Sequence, residues 1–439
     1  MSTSRFSAGL AFAVLALALA ACSSSTPSGS PPSGGTSNGT TVQVTTGGTV
    51  PWLAAQDGAG AWTRLSGSSF TVTNSAGKYG LAWVCTLGSG QAEVQVAQAT
   101  TSDSTSVTAS CQANPAPATG SVSGVITGIP SGGFASVSIG GQIKGVSTSG
   151  TQATFSLQGI PTGTQTIIAF GVTSGNLLAS VYVRRNVTVN SGTNSGITVD
   201  LASTTYATTQ GLSTKVLSVT GVPSNETSGV ASAYVTGAAT ANVLSMMLAM
   251  PSVNYIPIPP TLANSSDTYA FTADAHTSGF GTGSGGDDQR TLFVSQQPGA
   301  TTNVSVPGVL PSTAGIGVSG GTAVATWGSP SFSTSGGTTA FIASVTPSAP
   351  SPIWHVDVSS TWLGSASSYT FPDFAATSGW NTTWDFPTGV TADAWVEAAH
   401  ANLTIDQLLT AVKTDGYPTS YPNGTSIELT QRLATNGTY

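Results

Sequence analysis

From Val42 onward, apolar residues return at every second position in short runs, and each run is cut off by Gly, Ser or Asn. Val42 alternates with Val44, Phe70 with Val72, Leu81 with Trp83 and Cys85, and Val94 with Val96. A period of two puts the apolar side chains of a run on one face of an extended strand, whereas a helix needs a return after three or four residues. Short runs of this kind, separated by turn-forming residues, predict half-buried strands. The expected fold is mostly β: tandem β-sandwich domains behind a flexible tether, with a short C-terminal helix.

Composition decides between order and disorder. Disorder goes with low hydrophobicity and high net charge. Here 39% of residues are hydrophobic and only 6% are charged, which favours folded β structure. The ten basic residues are scattered, with Arg184-Arg185 the only adjacent pair, and the net charge is −7. Nothing offers a phosphate backbone a basic track, so no nucleic-acid partner is expected.

At the N-terminus, Arg5 precedes an apolar run over Leu10 to Ala20, and Leu19-Ala20-Ala21-Cys22 closes it. The run is shorter than the about 20 residues a membrane span needs. These residues resemble the lipobox of bacterial lipoprotein signal peptides. The resemblance implies a signal over residues 1–21, cleavage before Cys22, and acylation of the Cys22 thiol. Ser23, in place of Asp, implies outer-membrane sorting if the organism has an outer membrane. An ordinary secretory signal that happens to adjoin a cysteine is the other reading. Residues 22–41 hold Ser, Gly, Pro and Thr with almost nothing apolar, a composition that forms a coil reaching about 25 Å. Partnership with a membrane through lipid and an extracytoplasmic address follow from the resemblance.

Beyond the tether, residues 42–112 are expected to form a β-sandwich. Cys85 and Cys111 are the cysteines left in an exported chain, and an even pair there reads as a disulfide. Closing that loop would contribute roughly 3 kcal/mol. A Pro/Ala linker leads into 118–202, where Gly120, Val122, Gly124, Phe155, Leu157, Ile160, Pro161, Gly163 and Ile167 resemble the pattern of carboxypeptidase regulatory-like modules. The resemblance implies a β-sandwich accessory unit without catalytic residues. Residues 203–314 read as a further β-rich unit; its apolar stretch Val243 to Met250 is expected as a buried strand or core-facing turn. Residues 318–439, with Trp327, Tyr369 and Phe371, resemble a fibronectin type III or immunoglobulin-like sandwich. A helix is expected over Ile405 to Lys413, opened by a Thr404/Gln407 capping box and with Leu408, Leu409 and Val412 on its apolar face.

Two groups of residues invite chemistry. Trp354, Trp362, Trp380, Trp384 and Trp395 crowd into one stretch. Flat apolar rings can stack sugars or fill a sandwich core. Trp380 and Trp384, on a connection between two turns, are the residues placed as a ligand platform. Asp274, His276, Asp287 and Asp288 form an acidic cluster next to a glycine-rich stretch, and oxygen-rich loops can take calcium. No D-x-D-x-D-G loop is present, so a solvated acidic loop competes with Asp274, Asp287 and Asp288 as calcium ligands, and no metal or cofactor is assigned. His355 and Asp357, two apart on a strand, are expected to face solvent. No H-E-x-x-H or Cys-His arrangement occurs in the sequence, and no residue is assigned to catalysis.

Three functions compete on this reading. The first is a noncatalytic, lipid-anchored envelope protein with a structural or adhesive role. The second is a lipoprotein that binds carbohydrate or peptidoglycan, with a cell-wall or surface glycan or protein as partner. The third is an extracytoplasmic hydrolase, for which two facing carboxylates in a pocket are the minimum.

Overall fold

Strands dominate this protein, and their hydrogen-bonding partners lie far off in sequence. The computed structural model describes residues 39–111, 118–148, 150–210, 212–224, 226–236, 240–247, 252–277, 287–296, 303–319, 322–413 and 424–439. Cys22, the signal segment, most of the tether, and the glycine-rich stretch 278–286 lie outside the described residues.

Twelve strands form one long sheet. From one edge to the other it runs Thr240–Met247, Glu226–Thr236, Thr268–Thr277, Asp287–Gln296, Ser426–Thr438, Thr391–Ala401, Thr338–Pro347, Ile353–Ser359, Ala92–Thr100, Lys78–Thr86, Trp52–Asp57 and Thr63–Arg64. Three stretches of chain therefore contribute four strands each and meet edge to edge. One junction is antiparallel, with Asp287–Gln296 beside Ser426–Thr438. The other sets Ile353–Ser359 beside Ala92–Thr100 and is the sheet's one parallel pair among the described residues. Both junctions cover edges that would otherwise expose unpaired N–H and C=O groups.

Small sheets cover the faces of the long one. Ser69–Val72, Thr40–Gly47 and Ser106–Ser110 make one, and Gly315–Ser319, Thr322–Thr326 and Ser368–Thr370 another. A third comprises Ser252–Tyr255, Lys215–Thr220 and Asn303–Ser305. Residues 119–208 form two sheets of their own, which enclose Val122, Ile126, Phe155, Leu157, Ile160 and Ile167. There Gly124 lies so close to the parallel neighbour that a Cβ would meet the Ile197 carbonyl oxygen at 1.9 Å, a contact no other residue could make.

Cover on both faces changes the burial pattern. Thr40–Gly47, in a small sheet, shows the expected alternation, with Val42 and Val44 buried between exposed neighbours. Lys78–Thr86, in the long sheet, is instead buried at seven consecutive positions. Its Leu81, Trp83 and Cys85 face its own small sheet, while Ala82 and Val84 face an aromatic layer from the C-terminal stretch. Half-burial therefore holds for the covering sheets and fails at the centre.

Cys85 and Cys111 are joined, with their Cα atoms 5.1 Å apart. The bridge ties the long sheet to the end of the small sheet that covers it. The helix Ile405–Lys413 forms as its sequence predicts: Thr404 N donates to Gln407 Oε1 at 3.1 Å and Gln407 N to Thr404 Oγ1 at 3.4 Å. Ile405 and Leu408 are buried against Ala340, Ile342 and Ala399 of the long sheet. The Val243 stretch supplies the edge strand Thr240–Met247.

Few charges are available, and the buried ones act as joints. Asp267 is fully buried and accepts from Arg185 at 2.5 Å, from the Tyr234 hydroxyl at 2.6 Å and from Asn264 N at 2.6 Å. Arg185 lies in Leu178–Val189 and Tyr234 in the long sheet, so this carboxylate fastens the sheets of residues 119–208 to the long one. Glu428, also fully buried, accepts from Ser333 N and Thr334 N, both at 2.7 Å, and from both hydroxyls. Removing one partner of a buried ion pair leaves a buried charge unpaired. Asp267→Ala is thus expected to lower the unfolding free energy by about 3–5 kcal/mol. Chemical denaturation checks this, and an unchanged midpoint would contradict the joint.

Candidate functional site

The parallel junction brings together residues that are more than 250 positions apart. Its register sets Val358 opposite Gln98, so the chain leaving Ile353–Ser359 emerges beside the turn after Ala92–Thr100. The short helix Ser360–Leu363 follows, with the Ser359 hydroxyl accepting from Trp362 N at 3.2 Å. Asp103 holds it there. That carboxylate accepts from Thr100 N at 2.8 Å and Ser359 Oγ at 2.7 Å, and also from the Thr361 hydroxyl. Trp362 is thereby fixed over the N-terminal stretch.

Trp62 comes from the other side. It ends the turn after Trp52–Asp57, and Asp57 anchors the base of that turn by accepting from Thr73 N at 3.0 Å and Asn74 Nδ2 at 2.5 Å, and from the Thr73 hydroxyl. The Thr73 hydroxyl, foremost among these bonds, holds the Asp57 carboxyl down at about 2. The indole rests on Gly80, where a Cβ would stand 2.6 Å from Trp62 Cη2, and it meets Phe374 edge-on at 5.0 Å.

Between the two indoles is a cleft of about 300 Å³. Gln56, Ala59, Trp62 and Gln98 line it from the N-terminal stretch, and Trp362 and Tyr369 to Asp373 from the C-terminal one. Gln98 is 4% exposed. Its Nε2 donates to the Tyr369 hydroxyl at 2.9 Å and to Gln56 Oε1 at 3.3 Å. Burial pushes the Tyr369 phenol pKa up, so it stays neutral. Gln98 Oε1 and Trp362 Nε1 are both buried with no hydrogen-bond partner among the described residues. An orphaned buried polar atom costs about 1–3 kcal/mol. Lys78 Nζ lies over the Trp362 ring at 5.3 Å, a cation–π contact that keeps this ammonium at the ring. Aromatic faces, amides and one rim carboxylate, Asp373, thus converge on one opening.

The expected platform residues are elsewhere. Trp380 precedes the 3-10 turn Thr382–Trp384, which Trp384 closes, and both are half-buried against the aromatic layer. Trp380 packs on Trp52 and Phe374, each at 4.8 Å, and meets Trp384 at 79°, so the two rings form no flat row. Its indole N–H donates to Asp385 at 2.7 Å. Trp354 is buried, and its N–H donates to the Trp384 carbonyl at 3.1 Å. Of the five clustered tryptophans, Trp362 alone lines the cleft.

Asp274 and His276 share a strand face as their spacing predicts, with 3.4 Å between Oδ2 and Nδ1. Desolvation raises the Asp274 pKa. Asp287 and Asp288 open the strand Asp287–Gln296, and their side chains lie outside the described residues. Among the described residues no three His, Cys, Asp or Glu gather as metal ligands. His355 and Asp357 correct an expectation. Asp357 is 2% exposed and bonds His355 Nε2 at 2.9 Å, because both faces of the long sheet are covered.

Trp62 and Gln98 were missed in the sequence. Trp62 stands alone in a Gly/Ala turn and Gln98 is one polar position of an alternating strand. The pairing with Ile353–Ser359 is what makes them neighbours of Trp362, and it leaves no local signature.

No family model matches the chain, and no curated protein matches it. Among solved structures, one similarity is to Bacteroides ovatus mixed-linkage glucan utilization locus SGBP-B in complex with mixed-linkage heptasaccharide. It has 14% identity over 50% of this chain and 66% of that chain, with a TM-score of 0.12. This chain therefore spans just under two thirds of that protein. At such a TM-score the likeness carries no argument about fold or ligand.

Because Trp380 and Trp384 rest on the core, replacing each by Ala is expected to destabilise the protein, up to the about 3–5 kcal/mol of a buried Trp→Ala change. Thermal unfolding measures it. Unchanged stability in the double variant would return these rings to the role of a free platform.

Proposed function

We propose that this protein is a noncatalytic, lipid-anchored component of the cell envelope that holds a glycan in the cleft between Trp62 and Trp362. The cleft carries the reading: indole faces match the apolar face of a sugar ring, and amides beside them match its hydroxyls. Amide and indole groups do not trade protons near neutral pH, which suits holding a ligand better than cleaving it. Asp373 is the single carboxylate lining the cleft, where glycoside hydrolysis uses a pair. The Cys85–Cys111 bridge supports an oxidising compartment outside the cytosol. The lipobox-like segment at Cys22 supports a lipid anchor, with adhesion to a surface glycan as the outcome.

Retention of the protein on insoluble cell-wall glycans, combined with membrane fractionation, tests this. Wild type is expected in the membrane fraction and on the glycan. Cys22→Ser should leave the membrane yet still bind, and the Trp62→Ala/Trp362→Ala double variant should stay on the membrane and lose the glycan. Membrane retention of Cys22→Ser would sink the anchor, and undiminished binding by the double variant would sink the cleft.

A further inference from the structure

We infer that the glycan held in the Trp62/Trp362 cleft belongs to the envelope of the cell that carries the protein, because the cleft lies where the tether enters the fold. This builds on the anchored, glycan-binding reading above and adds where the ligand comes from. The described chain starts at Gly39, directly after the tether. A Cβ on Gly39 would stand 2.9 Å from the Val72 carbonyl oxygen and 3.3 Å from Thr73 Cγ2, so the entering chain lies against that pair. Thr40 then pairs with Val72, and Val42 packs among Val72, Tyr79 and Ala99. Thr73 in turn donates to Asp57, through its N at 3.0 Å and through its hydroxyl. Asp57 stands between Gln56 and Ala59, which both line the cleft. Three steps from residue to residue therefore join the tether to the cleft wall, a span of roughly 15–20 Å where neighbouring strands lie about 4.8 Å apart.

That position limits how far the cleft can travel. Trp52–Asp57 is the eleventh strand of the long sheet, and the first, Thr240–Met247, is ten spacings away, about 48 Å along the sheet. A site at that far edge could be held the breadth of the body beyond the tether. This one stays beside it, whichever way the body turns. Residues 22–38 span at most about 60 Å when fully extended, so the cleft lies within about 80 Å of the lipid that holds Cys22. The polymers that occupy such a shell all the time are those of the anchoring cell. A site confined with its ligand to so small a volume meets it at an effective concentration of the order of millimolar, as two linked modules do. A glycan on another cell has no such advantage and must first enter the shell.

Photo-crosslinking in a mixed pellet of cells tests this. One population makes the full chain with a benzophenone side chain in place of Ala59, an exposed residue of the cleft wall, or in a second variant in place of Asp373 at the rim. The other population lacks the protein and is grown on a 13C carbon source. After irradiation, mass spectrometry reads the isotope of the glycan joined to the cleft. Unlabelled glycan is expected in ten-fold or greater excess over 13C glycan. The same chain carrying Cys22→Ser, purified and added to the pellet, is expected to take both isotopes in the proportion of the mixture, since nothing confines it to one cell. Anchored chain that takes both in that proportion would overturn the shared-envelope ligand while leaving glycan binding standing. Absence of glycan adducts from both the anchored and the added chain, at both positions, would instead overturn the glycan reading itself.

Discussion

Two strand junctions hold this chain together: Asp287–Gln296 against Ser426–Thr438, and Ile353–Ser359 against Ala92–Thr100. A free sheet edge invites pairing with another molecule. Here three four-stranded edges find one another inside one molecule, and the product is a single twelve-stranded sheet. The parallel junction matters most for function. Without it, Trp62 and Gln98 would belong to one wall and Trp362 and Tyr369 to another, with no cleft between them.

A chain that is 6% charged cannot scatter ion pairs over its surface, and it concentrates polar bonding at a few carboxylates. Asp103 gathers Thr100, Ser359 and Thr361; Asp267 gathers Arg185, Tyr234 and Asn264; Glu428 gathers Ser333 and Thr334. Asp103 and Asp267 draw their partners from at least two elements and Glu428 ties its strand to one loop, so each acts as a joint. Hydrogen bonds to a charged acceptor are worth about 1.5–3 kcal/mol, more than those between neutral groups. Ser and Thr hydroxyls do here what Lys and Arg do in more charged proteins. The same economy shapes the cleft, where recognition is left to aromatic faces and amides.

Local structure was readable in the sequence, and long-range structure was not. Val42 and Val44 revealed a strand because alternation is a local property. Thr404 and Gln407 revealed a helix start because a capping box spans four residues, and Cys85 and Cys111 revealed a bridge because little else competes for two exported thiols. By contrast, a two-residue spacing fixes a face without saying what covers it, so His355 and Asp357 were expected in solvent, whereas Asp357 is buried and His355 half-buried. The same gap hid the cleft. Clustering in sequence drew attention to Trp380 and Trp384, while Trp62, alone in its turn, becomes the neighbour of Trp362 only through a pairing more than 250 residues long.

Hydrogen exchange of the intact chain, followed by mass spectrometry in sub-denaturing urea, tests the parallel junction most directly. Peptides covering Ala92–Thr100 and Ile353–Ser359 are expected to be among the slowest to exchange and to open together at the same urea concentration, as strands inside one cooperative sheet do. If Ile353–Ser359 instead exchanges like an exposed edge while Lys78–Thr86 stays protected, the two stretches fold apart. The composite cleft would then not exist.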